Sequence, residues 1–175
     1  MKKLIIAAGI AAATMASFGV NAAPVTASGN PSNASLNTIV KGTTGLSITA
    51  TVVNALTPTQ FMTETTKLGS FTVVIPQEIV SHGLAVGDIH AHNYPAGYKI
   101  KIKDNASTNN CTAELAEGGN PATNFSSASS TLNGYQCFFP SDEKTITLDV
   151  TNNGTTGSAE PGVRTITAQF VAYTN

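Results

Sequence analysis

The one stretch whose residue types and spacing could do chemistry is Asp88-Ile89-His90-Ala91-His92. On a β-strand alternate side chains share a face, so Asp88, His90 and His92 would project together, and two imidazoles at i and i+2 could share a metal ion. The plainer reading is the water side of an alternating strand whose inner side is Ile89 and Ala91, and on that reading the chain carries no metal and no cofactor. No other catalytic pattern is present. The sequence has no Gly-rich phosphate loop, no H-E-x-x-H pair and no G-x-S-x-G elbow, and its three histidines fall within eleven residues rather than among candidate nucleophiles. A secreted enzyme or inhibitor therefore has no residues in its favour, and no catalytic residue is predicted. Lys99, Lys101 and Lys103 form a stripe that could meet an acidic glycan or lipid headgroups. The charged outer face of an amphipathic strand, above all an edge strand guarded against aggregation, accounts for it equally well. Cys111 and Cys137 are the only cysteines, and they lack both a C-x-x-C spacing and a third ligand nearby. In an oxidising compartment such a pair forms one disulfide, worth roughly 3 to 4 kcal/mol in the chain-entropy model. Triplets such as Asn105-Ala106-Ser107 and Asn153-Gly154-Thr155 would matter only on a eukaryotic secretory route, and are by-products of abundant Asn, Ser and Thr.

The elements that must position these residues read as strands. In 45–53, Leu46, Ile48, Ala50 and Val52 alternate with hydroxyl residues at the strand period of two. Further strands are predicted at 60–65, 68–75, 86–91, 97–103, 135–139, 144–151 and 163–173. Their spacing of about ten residues, with Gly, Pro and Asn between, is that of a sandwich or barrel. Tyr98, Ile100 and Ile102 alternate with the three lysines, and Ile146, Leu148 and Val150 with Thr145, Thr147 and Asp149, so each strand has a core side and a water side. Residues 105–133 hold only Leu115 and Phe125 as large apolar residues and read as long loops tied back by the disulfide, with room for one short strand or helical turn.

Both ends carry information. Met1-Lys2-Lys3, the Ala-rich apolar stretch to Val20 and the small residues after it make a secretory signal, cut after Ala22. At about 17 residues that stretch is short for a bilayer span of roughly 20. The 153 residues that remain make one domain able to bury a core. Without Lys2 and Lys3, seven basic residues stand against ten acidic ones, a net charge near −3 that excludes a nucleic-acid partner. Few charges, no tryptophan and abundant Thr, Asn, Ser and Gly favour short strands with polar turns, an all-β fold. From residue 23 to about 41 there is little that could hold a core, so this stretch reads as a flexible leader.

The run Pro161-Gly162-Val163-Arg164-Thr165-Ile166-Thr167-Ala168-Gln169-Phe170-Val171-Ala172-Tyr173-Thr174-Asn175 resembles the last strand of chaperone–usher fimbrial subunits, which opens on Pro-Gly or Ala-Gly, alternates, and ends near an aromatic. Ser47-Ile48-Thr49-Ala50-Thr51-Val52-Val53 resembles the donor extension of plague-capsule-like and related subunits, and Gly83-Leu84-Ala85-Val86-Gly87-Asp88-Ile89 the opening of an early strand in them. The likeness is one of pattern and covers most of 45–103 and 161–175. The leader before Gly45 is longer than usual in that family, and the cysteines lie late in the chain instead of joining the first two strands. The resemblance implies an incomplete immunoglobulin-like β-sandwich completed by donor-strand exchange. It further implies a periplasmic chaperone, an outer-membrane usher, a homopolymer exported through the periplasm to the surface as a fimbrium or capsule-like fibre, and a possible host glycan or protein receptor. Ile166, Ala168, Phe170, Ala172 and Tyr173 would form the C-terminal groove strand that the chaperone binds. Leu46, Ile48, Ala50 and Val52 would be donated to a neighbour, with the strip Ala34, Leu36, Val40 as the other possible register. The domains follow as a signal at 1–22, a leader with donor strand at 23–53 and a sandwich at 54–175. The second reading is a secreted glycan- or receptor-binding adhesin at a fimbrial tip, recognising its ligand through loops around Cys111 and Cys137.

Overall fold

The computed structural model describes residues 26–27, 32–35, 39–41, 45–53, 55–126, 132 and 134–174; the signal read at 1–22 lies outside them. The strands are β1 Thr26–Ala27, β2 Ser32–Ser35, β3 Ile39–Lys41, β4 Ser47–Val52, β5 Lys67–Val74, β6 Gly83–His92, β7 Tyr98–Asp104, β8 Asn110–Leu115, β9 Thr123–Ser126, β10 Tyr135–Pro140, β11 Thr145–Asn152 and β12 Thr165–Thr174. They form two antiparallel sheets, an all-β sandwich. One sheet runs β3-β4-β5-β11-β7-β8-β9; the other runs β12-β6-β10, with β1 and β2 both paired to the outer side of β12. Among the described residues no helix is long and apolar enough to cross a membrane.

Period-two patterning sets the faces. Tyr98, Ile100 and Ile102 of β7, Ile146, Leu148 and Val150 of β11, and Phe71 and Val73 of β5 point into one core shared with Ile166, Ala168, Phe170 and Ala172 of β12. The Phe71 and Phe170 rings meet across the sheets at 5.1 Å between centroids. Outward, Thr49, Thr72 and Thr147 stand in register across β4, β5 and β11, with 3.1 Å between the Thr72 and Thr147 hydroxyl oxygens. The disulfide Cys111–Cys137 joins β8 in one sheet to β10 in the other, with 5.6 Å between Cα atoms.

Three expectations need correction. Residues 60–65 are not a strand, because Thr57-Pro58-Thr59-Gln60 is a helix start: α1, Pro58–Phe61, has the Thr57 hydroxyl accepting from the Gln60 amide at 3.2 Å and Gln60 Oε1 accepting from the Thr57 amide at 2.9 Å. Residues 105–133 hold two strands, β8 and β9; Cys111, Ala113 and Leu115 fill the inner side of β8, so its alternation is carried by small residues that a search for large ones passes over. The lysine strand β7 is no edge, since it lies between β11 and β8. The stretch 46–52 forms β4, which pairs with β5 from Ser47 opposite Val74 to Val52 opposite Gly69.

Candidate functional site

On one side of the sandwich lie β12 of one sheet and β4 of the other, and among the described residues the segment upstream of residue 42 covers their outer sides. β1 sets Thr26 opposite Thr174, β2 sets Ala34 opposite Ala168 and Ser35 opposite Thr167, and β3 sets Val40 opposite Ile48. β2 also touches β4, so the two edges flank one side of the sandwich. A backbone edge left open there would expose a row of unpaired N–H and C=O groups, which is a template for another strand.

The residues singled out in the sequence fall on both edges. Ile166, Ala168, Phe170 and Ala172 line the inner face of β12 and are all buried, while Tyr173 and Val171 pack on the opposite face with Ala85 and Phe138. On β4 the strip Leu46, Ile48, Ala50, Val52 grades outward: Leu46 and Ile48 are fully buried in the chain's own core, Ala50 is half-buried, and Val52 is 53% exposed. Of the other strip, Ala34 lies in β2 and Val40 in β3, and Leu36 is outside the described residues.

Beyond Val52 the two edges continue into a cleft of about 450 Å³ with Val52, Leu56, Phe61, Tyr94, Val163 and Arg164 on its walls. Val163, at its rim, is 73% exposed. The Arg164 guanidinium sits 4.4 Å from the centroid of the Phe61 ring and donates to the carbonyls of Glu160 and Gly162. Phe61 in turn stacks on Tyr98 at 4.8 Å and meets Tyr94 at 5.5 Å, and the Tyr98 hydroxyl donates to the Phe61 carbonyl at 2.7 Å. Burial pushes both phenols well above the usual tyrosine range, so the charged residues that line the cleft are Glu160 and Arg164.

The Asp88-His90-His92 stretch does something other than present three ligands. Among the described residues no group of three or more His, Cys, Asp or Glu side chains is placed to hold a metal ion. His90 Nε2 lies 2.8 Å from Asp88 Oδ1 and Nδ1 lies 2.7 Å from the Gly119 carbonyl oxygen. With acceptors on both sides of the ring, the Gly119 carbonyl and the Asp88 carboxylate raise its pKa and favour the imidazolium. The contact fastens the turn at Glu117–Gly119 onto β6, where Gly119 has φ 78° and an added Cβ would collide with the His92 ring. Asp88 itself has φ 46°, in the left-handed region, because β6 bulges there: Thr167 pairs with His90 but Gln169 with Gly87. The sequence signals both imidazoles but not the bulge, since no glycine marks residue 88.

Comparison of the chain with protein-family models, with curated proteins and with solved structures finds no match to any of them.

Proposed function

We propose that this chain is the repeating subunit of an extracellular fibre, in which the segment upstream of residue 42 covers the open edges of the next subunit. The observation that carries the reading is the pair of edges. In an immunoglobulin-type sandwich one sheet runs A-B-E-D and the other holds C, F and G. The order β4-β5-β11-β7 corresponds to the first, and β6 beside β12 to C and F. The place beside F that a last strand would fill is taken by β1 and β2, which come from the wrong end of the chain. A leader that covers its own edges can cover a neighbour's by the same backbone pairs. Such an exchange is head to tail and does not close, so it grows into a fibre.

The donated stretch on this reading is the upstream one, which includes Ala34 and Val40, and not Leu46 to Val52. Removing β4 from the sandwich would open Leu46 and Ile48 to water at a cost of roughly 1.5 to 3 kcal/mol for each. The cleft beyond Val52 supports the same reading, as an apolar continuation of the acceptor edge available to a longer or differently registered donor. Export to the surface by a chaperone and usher, the buried face of β12 as the strand the chaperone holds, and a structural rather than enzymatic role all belong to this proposal. Deleting residues 23–41 while keeping the signal should yield a folded, chaperone-held subunit that forms no SDS-resistant ladder on gels. A ladder that persists after the deletion overturns the donor assignment.

A further inference from the structure

The lysine stripe of β7 lacks the explanation that a sheet edge would supply. Lysines guard edges against other strands, but β7 is hydrogen-bonded on both sides, to β11 and to β8, so there is no edge here to guard. Tyr98, Ile100 and Ile102 fill the core, which turns Lys99, Lys101 and Lys103 to the outer face of the larger sheet; Lys99 and Lys103 are exposed and Lys101 is half-buried. Alternate residues of a strand stand about 6.5 Å apart, so the three lysines make a row of like charges whose stems span about 13 Å. Their neighbours leave that row unneutralised. Among the described residues the ion pairs are Lys67 with Asp149 and His90 with Asp88, and neither uses a lysine of β7. Asp149 stands opposite Lys103 but is bound by Lys67, and Glu114 stands opposite Lys99 but accepts from the Asn124 amide. Of the seven basic residues that follow the signal, three are gathered on this one strand, in a chain whose net charge is near −3.

We propose that this face binds a linear acidic polysaccharide, one that bears sulfate or carboxylate groups along its length. The charge selects an anion, and the row selects a chain over a single small ion. An ammonium is a compact charge on a flexible stem, so it meets either group without demanding a bidentate geometry. Asn110, Thr112 and Thr151 stand opposite the stripe on the same face, and each keeps hydrogen-bonding capacity for sugar hydroxyls beyond its contact within the chain. A lipid surface fits less well on both number and chemistry. Recognition of anionic lipids takes a cluster of about four to eight Lys or Arg, and among the described residues none of the exposed large apolar side chains, Val52, Val74, Val80 and Val163, stands beside the stripe to enter a bilayer. The face goes beyond fibre formation. It is complete within one subunit, with β5 and β11 between it and β4, so it does not rest on whether subunits polymerise.

The mature chain is titrated into fluorescently labelled heparin, a sulfated chain, polygalacturonate, a carboxylated one, and dextran, a neutral one, between about 50 and 200 mM salt. Saturable binding is expected with at least one of the two acidic polysaccharides and none with dextran. Release of counterions at three lysines gives a slope of about −2 to −3 in log K against log salt, an affinity that falls roughly 15- to 60-fold across that range. Lys99→Gln, Lys101→Gln and Lys103→Gln should each flatten the slope by about one, and Lys101→Arg, which keeps the charge, should keep it. Lys144→Gln makes the same change of net charge away from the stripe and should leave the slope as it is. The three glutamine variants take a like charge out of the row, so they should melt no lower than the unmodified chain, which separates lost binding from lost fold. No saturable binding to either acidic polysaccharide, binding equalled by dextran, tighter binding to vesicles of anionic phospholipid or to duplex DNA than to either polysaccharide, or a slope that Lys144→Gln flattens as much as the stripe variants do would each overturn the assignment.

Discussion

His90 is held by two acceptors from two different elements, the carboxylate of Asp88 on its own strand and the carbonyl of Gly119 on the turn above it, with Glu117 in that turn and His92 beside it as further titratable groups. The folded protein therefore holds the imidazole proton more tightly than the unfolded chain does. The stabilisation is fully present below the ordinary histidine value of about 6.5 and is lost as pH rises through the raised folded value. Replacing His90 with Gln should accordingly lower the melting temperature most on the acidic side of neutrality, and the gap from the unmodified chain should narrow toward alkaline pH. A gap that is the same at every pH would mean that the ring is held by packing and not by its charge. The spacing of Asp88, His90 and His92 was legible as a cluster on one strand. Its use was not, because the partner that decides it, the Gly119 carbonyl, is 29 residues away and belongs to the backbone.

At the scale of elements, β4 is where competing readings part. Its alternation of Leu46, Ile48, Ala50 and Val52 with hydroxyls fits any strand with one buried face, whether that face meets its own core or a neighbour's. Periodicity fixes the strand and leaves its owner open; β4 pairs with β5 and Ile48 is buried, which supports the proposal that it belongs to the body. Ile48→Ala should thus cost the isolated subunit roughly 2 to 5 kcal/mol, read as a shift of its denaturation midpoint, as for any truncation in a packed core. A donor residue would behave otherwise, leaving the subunit's own stability unchanged and weakening only the polymer. The two elements that the sequence misassigned follow a similar logic. α1 is signalled by Thr57, Pro58 and Gln60 acting together, a local pattern that outweighs the weak alternation around it. β8 keeps its inner side filled with Cys111, Ala113 and Leu115, and its identity as a strand depends on its pairing with β7.

For the whole molecule, two sheets share one core, a disulfide ties β8 to β10 across them, and among the described residues one flank is covered by a segment from the start of the chain. The all-β class, the pairing of Cys111 with Cys137 and the inward face of β12 could be read from patterning and composition. The covering of the flank could not, because 23–41 is poor in large apolar residues, and its strands are specified by the edges that they meet and hardly at all by their own sequence. The central claim is that this cover is exchanged between molecules. Ala34 and Ala168 stand directly opposite each other on β2 and β12, within reach of a disulfide if both are cysteine. Chains carrying Ala34→Cys alone and chains carrying Ala168→Cys alone are coexpressed, exported and run on non-reducing gels. The account predicts a disulfide-linked pair containing one chain of each kind. No linked pair, together with an intrachain bond that closes readily in monomers carrying both substitutions, would contradict it.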